Sequence, residues 1–292
     1  MEGRCPNELF FAMNVKEDRV KLYIYVFFLF FSLPLFAVDE AEKPVEFCFV
    51  ICSYNNSKWC ERNLETVFSQ TYPHWTIYYT DDCSTDGTGE KVENYVKFRE
   101  MSHKCKIVRN ETRKGAMANF YTAIHTLPPK TVVVAYDGDD FLINSSVLKI
   151  LERIYQNPNV WITYGSDLRT STGKRGPNCR PFPDNVIKNR TFRKHRWCTD
   201  HLRTFYAALF NRIRKKDLMY KNDFFSIGSD VAYFMPMLEM ASQGHIRYVR
   251  ELLCIYNDTN PLNDMRTRRQ FSNMAHDYIC AQPPYRPLKR LF

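Results

Sequence analysis

Between residues 47 and 165 the hydrophobic positions follow two alternating rhythms. Short unbroken apolar runs, "EFCFVICS", "WTIYYT", "KIVR", "TVVVAY" and "VWITYG", predict strands, the first of them buried on both faces. Between them, apolar residues recur at helical spacing: Cys60, Leu64, Val67 and Phe68, then Val92, Tyr95 and Val96. Met117, Phe120, Tyr121 and Ile124 repeat the pattern, as do Val147, Leu151, Ile154 and Tyr155. Strand and helix in alternation predict an open, mainly parallel α/β sheet with helices on both faces. From 166 to about 225 the rhythm fades and Gly, Pro, Arg and Lys dominate, so no regular element is predicted there. "DVAYFMPMLEMASQ", from Asp230, predicts a helix that kinks or starts late at Pro236. "IRYVRELLCIYN" predicts a final strand, which puts the sheet domain at 47–257, a linker at 39–46 and a C-terminal tail at 258–292.

Ligands of such sheets bind outside the carboxyl ends of the strands. Three polar groups fall at those ends: Ser53-Tyr54-Asn55, Asp81-Asp82 and Asp137-Gly138-Asp139-Asp140. Carboxylates this close repel one another unless a cation is shared among them. A pair one residue apart suits a hard divalent ion, Mn²⁺ or Mg²⁺, whose other positions are filled by water and diphosphate oxygens. Gly138 is expected to let the backbone approach the ligand. The structural alternative is an acidic turn capping the next helix, a role that suits Asp140 best.

Composition sharpens this picture only in places. A hydrophobic content of 45% over 292 residues describes a chain that folds around a core. Residues 169–221 hold 15 Lys and Arg against 3 Asp and Glu, a surplus of 12 that exceeds the net +9 of the whole chain. That block is either a solvated face or a surface for something anionic, such as a pyrophosphate, a lipid headgroup or an acidic acceptor. No aromatic-basic motif accompanies it, so nucleic acid is not expected. The ten cysteines are scattered without C-x-x-C or Cys/His spacing, which argues against structural zinc and leaves disulfides permitted but not required. Leu22–Val38 is 17 uncharged residues, preceded by Lys16, Arg19 and Lys21 and followed by Asp39, Glu40 and Glu42. It is expected to be an uncleaved membrane anchor after a short segment 1–21, with a cleaved signal peptide as the alternative. Which side of the membrane the rest of the chain occupies is left open. Five N-x-S/T sequons, at Asn55, Asn110, Asn144, Asn189 and Asn257, would matter only in a secretory lumen.

The motifs together carry a resemblance. "FCFVICSYNNSKWCERNLETVFSQTYPHWTIYYTDDCSTDGT", "RNETRKGAMANFYTAI" and "YDGDD" are similar to the opening half of family 2 glycosyltransferases, which have the GT-A fold. The similarity covers about 46–165 well and extends more loosely to about 257; "YDGDD" resembles the family's DxD motif. The resemblance implies transfer of a sugar, with inversion, from a nucleotide-sugar donor, most commonly a uridine one. It implies that Ser53, Tyr54, Asn55 and Asp82 line the base pocket, that Asp137 contacts ribose or metal, and that Asp139 ligates the metal. Asp230, at the start of the helix in "IGSDVAYFMPML", takes the place of the family's catalytic base, although Ser229 stands where the family often has an acid. A residue so placed is also a good N-cap. His201 in "CTDHLRTF" falls near donor and acceptor by the same analogy. Arg113, Lys114 and the basic block are expected to help hold the pyrophosphate.

Two other functions fit parts of the pattern. A haloacid-dehalogenase-type phosphatase also places D-x-D after an apolar strand, but near the start of its domain and with a downstream Lys and acidic pair that are not evident here. A catalytically inactive glycan- or anion-binding module is the non-enzymatic alternative, against which the set Asp82, Asp137, Asp139 and Asp230 argues. The acceptor, whether glycan, lipid or protein, is not legible.

Overall fold

The structure, a computed structural model, describes residues 43–292. The segments 1–21 and 22–38 lie outside the described residues. No helix among the described residues is long and apolar enough to cross a membrane. Residues 44–292 form one compact unit.

Strands β1 (Phe47–Ser53), β2 (Trp75–Asp81), β3 (Cys105–Arg109) and β4 (Val132–Asp137) run parallel in the order β3-β2-β1-β4. Helices α1 (Cys60–Phe68), α2 (Thr88–Phe98) and α3 (Ala116–Ile124) connect them. Side chains of β1 alternate between two layers of core. Phe47, Phe49 and Ile51 join Leu64, Val67 and Val92 on one face, while Cys48 and Val50 join Met117, Phe120 and Phe234 on the other. Both faces being covered, the strand has no polar side, which is why it appears as one apolar run.

The second half departs from simple alternation. A short strand β5 (Phe141–Leu142) and helix α4 (Val147–Tyr155) lead to β6 (Ile162–Arg169). Then β7 (Asp200–Tyr206) enters between β4 and β6, antiparallel to both. This strand lies in the basic region for which no regular element was predicted. It is buried along nearly its whole length, and its Asp, His, Arg and Thr break the apolar run that marks the other strands. A small hairpin, β8 (Met219–Tyr220) and β9 (Asp223–Phe224), precedes helix α5 (Ser229–Met240). Pro236 sits inside α5 without ending it. Strand β10 (Ile246–Tyr256) pairs parallel with β6 and antiparallel with β5, completing an eight-stranded sheet in the order β3-β2-β1-β4-β7-β6-β10-β5.

Residues 258–292 fold back onto this sheet rather than trailing from it. Helix α6 (Arg269–Ala281) packs on α5, and Ile279 and Leu291 are buried in the core. Buried Glu239 of α5 fastens the segment. It accepts hydrogen bonds from Arg193 at 2.5 and 2.8 Å and from the Tyr285 amide at 2.8 Å, while Arg193 also donates to the Ile279 carbonyl. The whole is the GT-A architecture: a Rossmann-like half, β1 to β4, continued through β7 into a mixed second half.

Candidate active site

The parallel register of β1 with β2 and β4 sets Ser53 opposite Asp81 and Cys52 opposite Asp137, so the polar ends of three strands share one edge. Because β7 runs the other way, its beginning lies at that same edge. The register, with Ala135 opposite Arg203, carries on to set His201 beside Asp137. The end of β10 brings Tyr256 and Asn257 there too.

Three acidic residues, Asp137, Asp139 and Asp140, and His201 lie at the end of β4. His201 Nε2 lies 3.9 Å from Asp137 Oδ2, and its Nδ1 lies 3.5 Å from Asp140 Oδ2. Ligand-capable atoms of Asp137, Asp140 and His201 fall within 4.8 Å of one another. Burial, reinforced by the Arg203 and Arg169 charges, pushes the His201 imidazole well below its ordinary value, so the ring is neutral. Its contacts with the two carboxylates are therefore not ion pairs, and the buried Nδ1 has no hydrogen-bond partner. Burial, with Asp139 and Asp137 nearby, drives the Asp140 carboxyl well above the usual range. Two crowded carboxylates and an imidazole lone pair left over form a donor set that fits a divalent cation.

Asp140 does not cap the following helix. Its Oδ1 accepts the Asn257 amide at 2.9 Å and its Oδ2 faces the cluster. Asp139, the metal ligand by resemblance, is turned aside. Its Oδ2 accepts a hydrogen bond from Asn260 at 2.6 Å, and it stands outside the group formed by Asp137, Asp140 and His201. Gly138 also serves packing, because a Cβ there would lie 2.7 Å from Ser53 Oγ and 2.9 Å from Asn56 Nδ2.

The loops beside this cluster are held to one another. Asn55, at φ 52°, accepts the Thr85 amide at 2.8 Å and donates its own amide to Ser84. Asp86 of the same loop accepts the Thr88 and Ser57 amides at 3.1 and 3.0 Å, joining the start of α2 to the loop after β1. Asp82 accepts hydrogen bonds from Asn110 Nδ2 and the amides of Lys114 and Gly115 at 2.8–2.9 Å. Burial alone would raise its carboxyl, but the donors around it, Asn119 and the Lys114 amide foremost, hold it below the usual range. Asp82 thus fixes the turn that carries Arg113, whose guanidinium lies 3.7 Å from the centre of the Tyr54 ring. Lys114 enters this arrangement through its backbone, and its side chain is exposed. Asp81 is buried under α2, with Arg109 4.0 Å from it.

Asp230 stands in the first turn of α5, where Oδ2 accepts a 3.0 Å hydrogen bond from Arg203. Arg203 is buried, which would lower it, but Asp230, Tyr233, Asp200 and Asp137 together keep its guanidinium raised and charged. It ties Asp230 to the end of β4. A second buried group, Asp167, Cys179 and Asp200, is closed by Arg169, which lies 3.1 Å from Asp167 and 3.0 Å from Asp200. With an arginine already between the carboxylates, this group is structural. Tyr256 stacks on His201 at 4.7 Å and lies 4.3 Å from the Arg169 guanidinium.

Arg203, Tyr256, Asn257 and Asn260 were not singled out from sequence as site residues. The first lies on the unpredicted β7, Tyr256 ends β10, and Asn257 and Asn260 reach partners more than a hundred residues away.

Comparison with known proteins agrees with this architecture. The sequence profile of Glycosyl transferase family 2 matches residues 48–222, more than half of the chain. A putative teichuronic acid biosynthesis glycosyltransferase of Bacillus subtilis is 30% identical over 121 residues, 41% of this chain and 46% of that protein. An Escherichia coli UDP-Glc:alpha-D-GlcNAc-diphosphoundecaprenol beta-1,3-glucosyltransferase is 27% identical over 117 residues, 40% of this chain and 44% of that one. The chain thus spans less than half the length of these relatives. Among solved structures, a Pyrobaculum calidifontis mannosyltransferase with GDP-Man and Mn²⁺ superposes with TM-score 0.57 and 16% identity, covering 94% of this chain and 74% of that one. S. aureus TarS 1-349 with UDP-GlcNAc gives 0.53 and 18%, covering 73% and 59%. A phosphatase reading finds no support in these likenesses. With the profile spanning β1 to β8, the chain belongs to glycosyl transferase family 2.

Proposed function

We propose that this chain transfers a sugar from a nucleotide-sugar donor, UDP-linked, to an acceptor hydroxyl with inversion, assisted by a divalent cation. The cluster Asp137, Asp140 and His201 carries the reading, since a cation-ready donor set stands at the strand edge beside the loops of Ser53–Asn55 and Asp82. The solved relatives whose titles name UDP-GlcNAc, UDP, or GDP-Man with Mn²⁺ support the donor class. Asp137, Asp140 and His201 would hold the ion, and Asp139 would join on release from Asn260. An imidazole among the donors favours Mn²⁺ over Mg²⁺. When bound, the ion offsets charge gathering on the departing diphosphate.

The chain's own groups supply the rest. Ser53, Tyr54, Asn55 and the turn held by Asp82 enclose the base and ribose, and Arg113 with Lys114 offers positive charge to the phosphates. Arg203 fixes Asp230 through Oδ2, so Oδ1 accepts the proton of the attacking hydroxyl. The hydroxyl oxygen bonds the anomeric carbon opposite the breaking carbon–phosphate oxygen bond, and the diphosphate departs with the electron pair. Leu22–Val38 would hold the enzyme at a membrane.

The test is release of nucleoside diphosphate from a panel of nucleotide sugars with Mn²⁺. One donor should be turned over, and Asp230→Asn should lower the rate by roughly 10²–10⁴ while still binding that donor. A folded protein that releases diphosphate from none of them would refute the proposal.

A further inference from the structure

Helix α6 carries an apolar arc wider than its contact with the rest of the protein. Ala275 and Ile279 face inward, with Ile279 buried. Phe271, Met274 and Tyr278, three and four residues apart, continue the arc outward and stand 59%, 59% and 41% exposed. Tyr220 of the β8–β9 hairpin, 43% exposed, extends it, its ring 4.9 Å from that of Tyr278. Exposed aromatic and Met side chains gathered on one ridge are an interaction surface, not scattered surface residues.

The flanks of the ridge are basic. Residues 212–224 and 266–281 contain eight Arg and Lys against three Asp, of which Asp217 is paired with Arg214 at 2.7 Å. Arg268 lies 6.0 Å from the Phe271 ring and Lys221 5.4 Å from the Tyr220 ring, so charge and apolar surface are interleaved. Apolar side chains that reach an acyl boundary, ringed by cations that meet headgroups, are the chemistry of interfacial binding to anionic lipid.

We propose that the α6 ridge, with the β8–β9 hairpin, rests on an anionic membrane surface. The docking stands on the ridge itself and does not depend on the segment 22–38. It has a consequence for the acidic site, because α6 adjoins it: a Cβ on Gly228, two residues before Asp230, would lie 3.2 Å from Ala275. A membrane under α6 lies one helix away from Asp230.

The experiment uses residues 44–292, which hold both layers of the core and form one compact unit. Co-sedimentation is measured with vesicles of phosphatidylcholine alone and of phosphatidylcholine with phosphatidylglycerol. The protein should sediment with the anionic vesicles, and added salt should weaken the binding. Phe271→Ser with Met274→Ser should weaken it on the order of tenfold, as should Arg268→Glu with Arg269→Glu. Phe271 and Met274 are exposed, so their replacement leaves folding intact, checked by circular dichroism and the melting temperature. Absence of binding to anionic vesicles, or undiminished binding by the Ser variant, would overturn the proposal. So would light scattering that shows a dimer of this chain broken by the same Ser variant, since a second copy would then be the occupant.

Discussion

Gly138 shows how much one missing methyl can decide. A Cβ there would press on Ser53 Oγ and Asn56 Nδ2, which are hydrogen-bonded to each other at 2.9 Å. Gly138→Ala should therefore push the acidic loop away from the end of β1, lowering stability by about 1–3 kcal/mol and nucleotide affinity with it. A variant with native melting temperature and native affinity would show that the contact yields freely. Asp167 supplies a pH effect at the same scale. Burial foremost, then Asp200, raise its carboxyl from 3.8 to about 6. The folded protein thus holds this proton more tightly than the unfolded chain, and the stabilising contribution, complete below about pH 4, is lost as pH rises through 6. Asp167→Asn, which cannot ionise, should gain on the native protein between pH 4.5 and 7.5, by about 2 kcal/mol. Urea denaturation at the two pH values measures this, and a pH-independent difference would contradict it.

Elements differ in how openly the sequence declares them. β1, β2, β4 and their helices were legible because each strand is apolar along its length and each helix buries one stripe. The acidic edge was legible too, since every parallel strand delivers its last residues to the same side. β7 was not, although it joins the two halves of the sheet. Its polar side chains find partners inside the protein: Thr204 Oγ1 lies 2.8 Å from Tyr155 Oη and 2.6 Å from Thr163 Oγ1, and Arg203 reaches Asp230. Such partners are long-range and leave no local signature. The same reason hid the roles of Asn257 and of Asn260, which donates to Asp139, 121 residues away. Thr204→Val keeps the strand's shape but leaves two buried hydroxyls short of a partner, for a loss of about 1–3 kcal/mol. An unchanged midpoint in thermal denaturation would mean that Tyr155 and Thr163 satisfy each other without it.

At the scale of the molecule, the sheet and the residues after β10 make one object. Asn257 and Asn260 brace the acidic loop, and Glu239 receives both Arg193 and the Tyr285 amide. Glu239→Ala would leave the nearly buried Arg193 without its carboxylate, at about 3–5 kcal/mol, and should open the chain beyond 258 to proteolysis. Resistance equal to that of the native protein would separate the two regions. The same unity makes the candidate site a product of the whole fold, since β4, β7 and β10 each contribute to it.

Calorimetric binding of a nucleoside diphosphate panel, with and without Mn²⁺, tests the central claim most directly when the native protein is set beside Asp137→Ala. The account predicts tight binding of one diphosphate, the uridine one, that needs the metal and falls by about tenfold or more in the variant. Metal-independent binding, equal affinity in the Asp137→Ala protein, or no binding by the folded native chain would contradict a cation-assisted nucleotide site at the end of β4.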